Sequence, residues 1–140
     1  MDTREYLNQI QRYSKIIDNK LEEIEYHKSL ATNIGSSSYG MERVQTSVRQ
    51  DKMADAVSKL VDLQNELADE VIKYTSKRRE VIEAIESVKE PQYCELLFKR
   101  YVECKKLSVI ADEMEYNDEY IKQLHSKALK RIKEMKGFES

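Results

Sequence analysis

Apolar side chains recur every three or four residues along most of this chain, the spacing that lines one face of an α-helix. In the first stretch they fall at Tyr6, Ile10, Tyr13, Ile17, Leu21, Ile24 and Ala31. That stripe predicts one helix over about residues 2–34. The run GSSSYG at 35–40 then breaks the period, because glycine and serine favour turns and caps over helix interiors. A longer stripe begins at Met53 and passes through Val57, Leu60, Leu67, Val71, Tyr74, Val81, Ile85 and Val88, with Gln64 and Arg78 as its polar interruptions. It predicts a second helix over about 51–89, roughly 58 Å long at about 1.5 Å per residue.

A narrow apolar stripe on a long helix has to be buried against something. The first helix, folded back antiparallel across the loop of residues 35–50, is the nearest partner. His27 falls on this seam and is expected to be a half-buried helix residue rather than a ligand. The first two-thirds of the chain is therefore expected to be a helical hairpin or coiled-coil-like rod over 1–90, with packing as its first role. The stripe on the longer helix leaves room for a second chain, so a homodimer through the N-terminal helices is an expected partner arrangement.

Pro91 marks the end of that rod, since proline disfavours helix in the residue before it and suits the first turn of the helix that follows. A third helix is predicted from Pro91 to about Val102, with Tyr93, Leu96, Leu97 and Tyr101 on one face and Phe98 beside it. Beyond it, LSVIADEMEYNDEYIKQLHSKALKRIK, residues 107–133, reads as two short helices around a tight turn. Steeply crossing helices need a small residue at their closest approach and apolar residues to fill the angle. Ala111 supplies the first; Ile110, Met114, Tyr116, Ile121 and Leu124 supply the second. Asn117 stands where it can cap the second helix, with Asp118 and Glu119 well placed against the helix dipole. Glu115 occupies the turn position usually held by glycine, which asks for a left-handed conformation at a cost of about 1 kcal/mol. The expected fold class is all-α: a long hairpin, then a three-helix helix-turn-helix unit over 91–140.

Composition strengthens this reading. Of 140 residues 36% are charged, with one proline, three glycines and no tryptophan, a balance that favours long solvated helices. No apolar run of about 18 residues and no charged-then-apolar leader is present, so a cytoplasmic protein is expected. Two cysteines, Cys94 and Cys104, are expected to be reduced thiols. Neither they nor His125 have metal-ligand spacing. No phosphate loop, HExxH or nucleophile elbow occurs either, so no metal, cofactor or enzymatic activity is expected.

The net charge of −2 averages two unlike halves. Between Tyr120 and Lys136 stand Lys122, Lys127, Lys130, Arg131, Lys133 and Lys136 against the single acid Glu134. This asymmetry makes the C-terminal segment the surface for a polyanion, with a solvated helix face as the plainer alternative.

Residues 107–133 resemble region four of bacterial primary-type sigma factors. IKQLHSKALKRIK, residues 121–133, carries the closest part, and LLFKRYVECKKLSVIADEM ahead of it follows the same rhythm. With YGMERVQTSVRQDKMADAVSKLVDLQNEL before such a unit, the chain is similar to small sigma-like regulators of phages and prophages of Gram-positive bacteria, the ArpU and RinA type of late-gene activator. The resemblance covers about two-thirds of the chain. It lacks the aromatic-rich region that holds melted promoter DNA, so the chain does not look like a complete sigma factor.

The resemblance implies a transcription regulator whose last helix enters the major groove of double-stranded DNA. It assigns Asp118, Glu119, Lys122 and Gln123 to base edges, and Lys127, Lys130, Arg131 and Lys133 to phosphates. Gln123 suits adenine, Glu119 cytosine N4 and Lys122 guanine. Asp118 departs from the family, which often has a donor there, and joins Asp112, Glu113 and Glu115 in an acidic cluster. That cluster suits an alternative the resemblance also implies, a module that binds bacterial RNA polymerase with little DNA affinity of its own. A phage small terminase subunit is a third reading, though those proteins usually carry the DNA-binding unit before the rod.

Overall fold

A computed structural model describes residues 2–36 and 43–137, the side chains of 34–36 and 43–47 excepted. The fold is all-α: a long helical hairpin followed by short helices that pack together. The helices are α1 (Thr3–Leu7), α2 (Gln9–Ser36), α3 (Arg43–Glu86), α4 (Pro91–Leu97), α5 (Leu107–Met114) and α6 (Asp118–Lys136), with a π-helical turn at Phe98–Val102 directly after α4.

The chain divides by packing into two units, residues 15–72 and residues 1–14 together with 73–140. Pro91 marks where α4 begins, but the second unit also takes in residues on the N-terminal side of it.

Within residues 15–72 the α2 and α3 segments run antiparallel, tied by Lys20 Nζ to Glu66 Oε2 at 2.8 Å. Their facing rows, half-buried apart from the buried Ile24 and Leu63, repeat every seven residues, the arrangement of a two-stranded coiled coil. On α2 the row is Ile17, Lys20, Ile24, His27 and Ala31; on α3 it is Met53, Ala56, Leu60, Leu63 and Leu67. Here the expected seam needs correction. Val57 is 50% exposed and Val71 and Leu21 are also exposed, whereas Leu63, outside the expected stripe, is only 2% exposed. Two rows on α3 share Met53, Leu60 and Leu67 and differ by one residue in phase. The row with Leu63 offers the larger apolar side chain at its middle, where its rival has Gln64, so α2 settles over Leu63.

The helix ends also moved. α3 begins at Arg43 rather than Asp51, because RVQTSVRQ contains neither glycine nor proline to stop it. α2 runs through Gly35 to Ser36, and the remainder of GSSSYG lies outside the described residues.

The second unit starts at a capping box. The Asp2 side chain accepts from the Glu5 backbone N–H, and the Glu5 carboxylate reaches back to the Asp2 N–H, satisfying two donors that the first turn leaves over. A break at Asn8 follows. Tyr6, Leu7 and Ile10 are thereby delivered into a core with Val81, Ala84, Ile85 and Val88 of the α3 end, Leu97, Tyr101, and Ala128 and Ile132 of α6. A neighbouring cluster of Leu96, Ile110, Ala111, Ile121 and Leu124 holds α4, α5 and α6 together. Every inward position expected between Ile110 and Leu124 lies in or against this second cluster.

Candidate nucleic-acid interface

α6 is launched by the turn that separates it from α5. Glu115 sits in the left-handed region (φ 61°, ψ 39°), and the Tyr116 N–H donates to Ala111 O at 2.9 Å. This closes α5 as glycine commonly does in such a cap. Two residues on, Asn117 accepts through Oδ1 from the Tyr120 N–H at 2.7 Å, which satisfies a donor at the start of α6. Tyr116 and Tyr120 pack ring against ring at 4.6 Å, and Gln92 donates to the Tyr116 hydroxyl at 2.8 Å. The turn is thus fixed from both sides. Asn117→Ala is expected to lower stability by about 1 kcal/mol in a urea melt, and an unchanged midpoint would show the cap to be dispensable.

Beneath α6 lies its one buried titratable residue. His125 is 6% exposed, and its Nε2 shares a 2.7 Å hydrogen bond with the Tyr101 hydroxyl. Burial, followed by the nearby Arg4 and Arg100 charges, lowers the His125 pKa to about 4. Burial also pushes the Tyr101 hydroxyl up. The residue is a neutral strut between the π-helical turn and α6.

Opposite the buried face, Asp118, Glu119, Lys122 and Gln123 are all exposed over the first turns of α6, and Lys127 and Lys130 are exposed further along. Arg131 and Lys133 are half-buried. Lys127, Lys130 and Arg131 come together with Glu90, Tyr93 and Glu134 around a cavity of about 230 Å³. Arg131 is engaged there, with Nε 3.5 Å from Glu90 Oε2 and one terminal nitrogen 3.9 Å from Glu134 Oε2. Lys127 and Lys130, like Lys122 and Lys136, are exposed and make no ion pair among the described residues. Spacing along the chain does not point to Glu90 and Tyr93 here, because they approach α6 only through the packing of α4.

The acidic cluster is less uniform than its spelling suggests. Glu113 accepts from Lys99 at 2.9 Å and from Lys105 at 2.7 Å, and these lysines hold its carboxyl below the usual carboxylate range. Asp112, Glu115, Asp118 and Glu119 remain as exposed carboxylates.

A second concavity, about 560 Å³, is lined by Ile85, Pro91, Cys94 and Phe98, with Glu86, Glu95, Lys99 and Glu103 around them. The Cys94 thiol donates to Val88 O at 2.9 Å and to Ile85 O at 3.2 Å, and burial raises its pKa. Cys104 is exposed. Among the described residues no helix is long and apolar enough to cross a membrane.

No protein-family model, no curated protein and no solved structure matches this chain.

Proposed function

We propose that this protein is a DNA-binding transcription regulator that places α6 in the major groove of duplex DNA, in the manner of sigma region four. Regulation of phage or prophage genes, as an activator of late genes, is the setting the resemblance implies. The observation that carries the reading is the exposed face of α6. Four polar side chains over its first turns and, beyond them, two lysines with no ion pair among the described residues stand on a helix whose other side is anchored by Ile121, Leu124, Ala128 and Ile132. Side chains at the start of such a helix meet base edges, and cations further along meet phosphates.

Sequence preference then resides in Lys122 and Gln123, each of which can make a paired contact to one base. Duplexes selected from a random pool by the protein are expected to share a motif, and Lys122→Ala with Gln123→Ala to relax it while keeping non-specific affinity within about threefold. The same motif selected by the double variant would remove these residues from base reading.

The apolar concavity at Ile85, Pro91, Cys94 and Phe98 supports a second reading, a module that binds RNA polymerase through protein contact. No duplex binding at low salt, combined with retention on immobilised RNA polymerase, would favour it.

A further inference from the structure

α3 carries two apolar rows in the hairpin, and α2 covers one of them. The second row, Ala54, Val57, Val61, Gln64, Ala68 and Val71, advances in the same alternation of three and four residues. At about 3.6 residues per turn the middles of the two rows lie about 100° apart around the helix axis. A helix at the corner of a four-helix bundle meets its two neighbours at nearly this angle.

The second row is open to solvent. Val57 and Val61 are about half exposed, and Ile72 beside them is 68% exposed. On α2, Leu21 is exposed as well, on the flank of the seam that faces this row. Among the described side chains of residues 15–72, only Ile24 and Leu63 are buried. This hairpin therefore has almost no core of its own, although its apolar residues are regularly ordered rather than scattered.

We infer that this row docks on the same row of a second copy of the chain, joining two hairpins into a bundle. None of its six positions is charged in a chain that is 36% charged, so the α3 rows of two copies meet without like charges, while beside Leu21 on α2 the exposed Glu25 and Lys28 pair with each other at 3.6 Å. Gln64 is its single polar member, and one polar residue in an apolar row fixes register. The patch from Ala54 to Ile72 is about 27 Å long and two helices, about 20 Å, wide. It offers roughly 540 Å² per copy, against about 800 Å² in a standard interface. The dimer is accordingly reversible, dissociating in the micromolar range.

Sedimentation equilibrium of the full chain without DNA, from about 1 to about 500 μM, tests this surface independently of any DNA contact. A monomer–dimer equilibrium is expected, with a dissociation constant on the order of tens of micromolar. Val57→Lys with Val61→Lys should weaken it at least about twentyfold, and Tyr26→Lys, on another face of α2, should leave it unchanged. If circular dichroism shows that the lysine pair melts the hairpin, Val57→Ser with Val61→Ser is expected to weaken the dimer in the same direction. A monomer throughout the range would overturn the inference, as would a dimer or larger oligomer that both valine variants leave intact.

Discussion

Lowering the pH from 6.5 to 4 is expected to remove about 3 kcal/mol of stability through His125 alone. In the unfolded chain a histidine takes up its proton near pH 6.5. In the fold, burial and the Arg4 and Arg100 charges hold the pKa near 4. The neutral form is therefore the one that folding favours. The contribution is fully present above pH 6.5 and is lost as the pH falls through 4, at about 1.4 kcal/mol for each unit by which the two pKa values differ. The buried ring also shares the 2.7 Å bond with the Tyr101 hydroxyl, which ties the π-helical turn to α6. Urea melts at several pH values, with His125→Gln beside the parent protein, separate this effect from the titration of carboxylates. The difference in stability between the two should shrink or reverse as the pH falls below 6.5. Parallel pH profiles would mean that His125 titrates alike in the folded and unfolded chains.

Replacing Lys127 and Lys130 together by alanine is expected to weaken binding to every duplex by roughly 50-fold near 0.1 M salt. Each phosphate contact releases about 0.9 of a counterion from B-DNA, so two lost contacts amount to nearly two decades at that concentration. These two lysines are exposed and make no ion pair among the described residues. Arg131→Ala should cost less, because its guanidinium already faces Glu90 and Glu134. Fluorescence anisotropy with a labelled duplex checks both variants. An effect confined to one sequence would contradict a phosphate role for Lys127 and Lys130, and a larger loss from Arg131→Ala would reverse the ranking drawn from its ion pairs.

The all-α class and the packing between α5 and α6 were legible in the sequence, because both depend on local spacing. Ala111, Ile121 and Leu124 could be assigned inward from their positions relative to one turn, and Glu115 in the left-handed cap could be anticipated from the place of that turn. What escaped the sequence depends on choices between near-equal alternatives or on distant packing. The Leu63 and Val57 rows differ by one residue in phase, and which one α2 covers is a tertiary decision. Periodicity gave the helix over 91–102 but not its passage into a π-helical turn after Leu97, where the Glu103 N–H donates to Phe98 O. Nor could spacing reveal that Tyr6, Leu7 and Ile10 share a core with Ala128 and Ile132, more than a hundred residues away. At the candidate interface, Asp118, Glu119, Lys122 and Gln123 were proposed for base edges from the resemblance to sigma region four, and all four are exposed on α6. The engagement of Arg131 by Glu90, and of Glu113 by Lys99 and Lys105, required knowing how α4 approaches α6 and how the segment after it approaches α5.

Whether α6 lies against duplex DNA can be read residue by residue from backbone amide resonances as a duplex is added at low salt. The largest shifts are expected on residues 118–123 and around Lys127 and Lys130, fading as salt is raised. Resonances that stay in place at saturating duplex, or shifts that cluster around Pro91, Cys94 and Phe98 while α6 is unmoved, would contradict that placement.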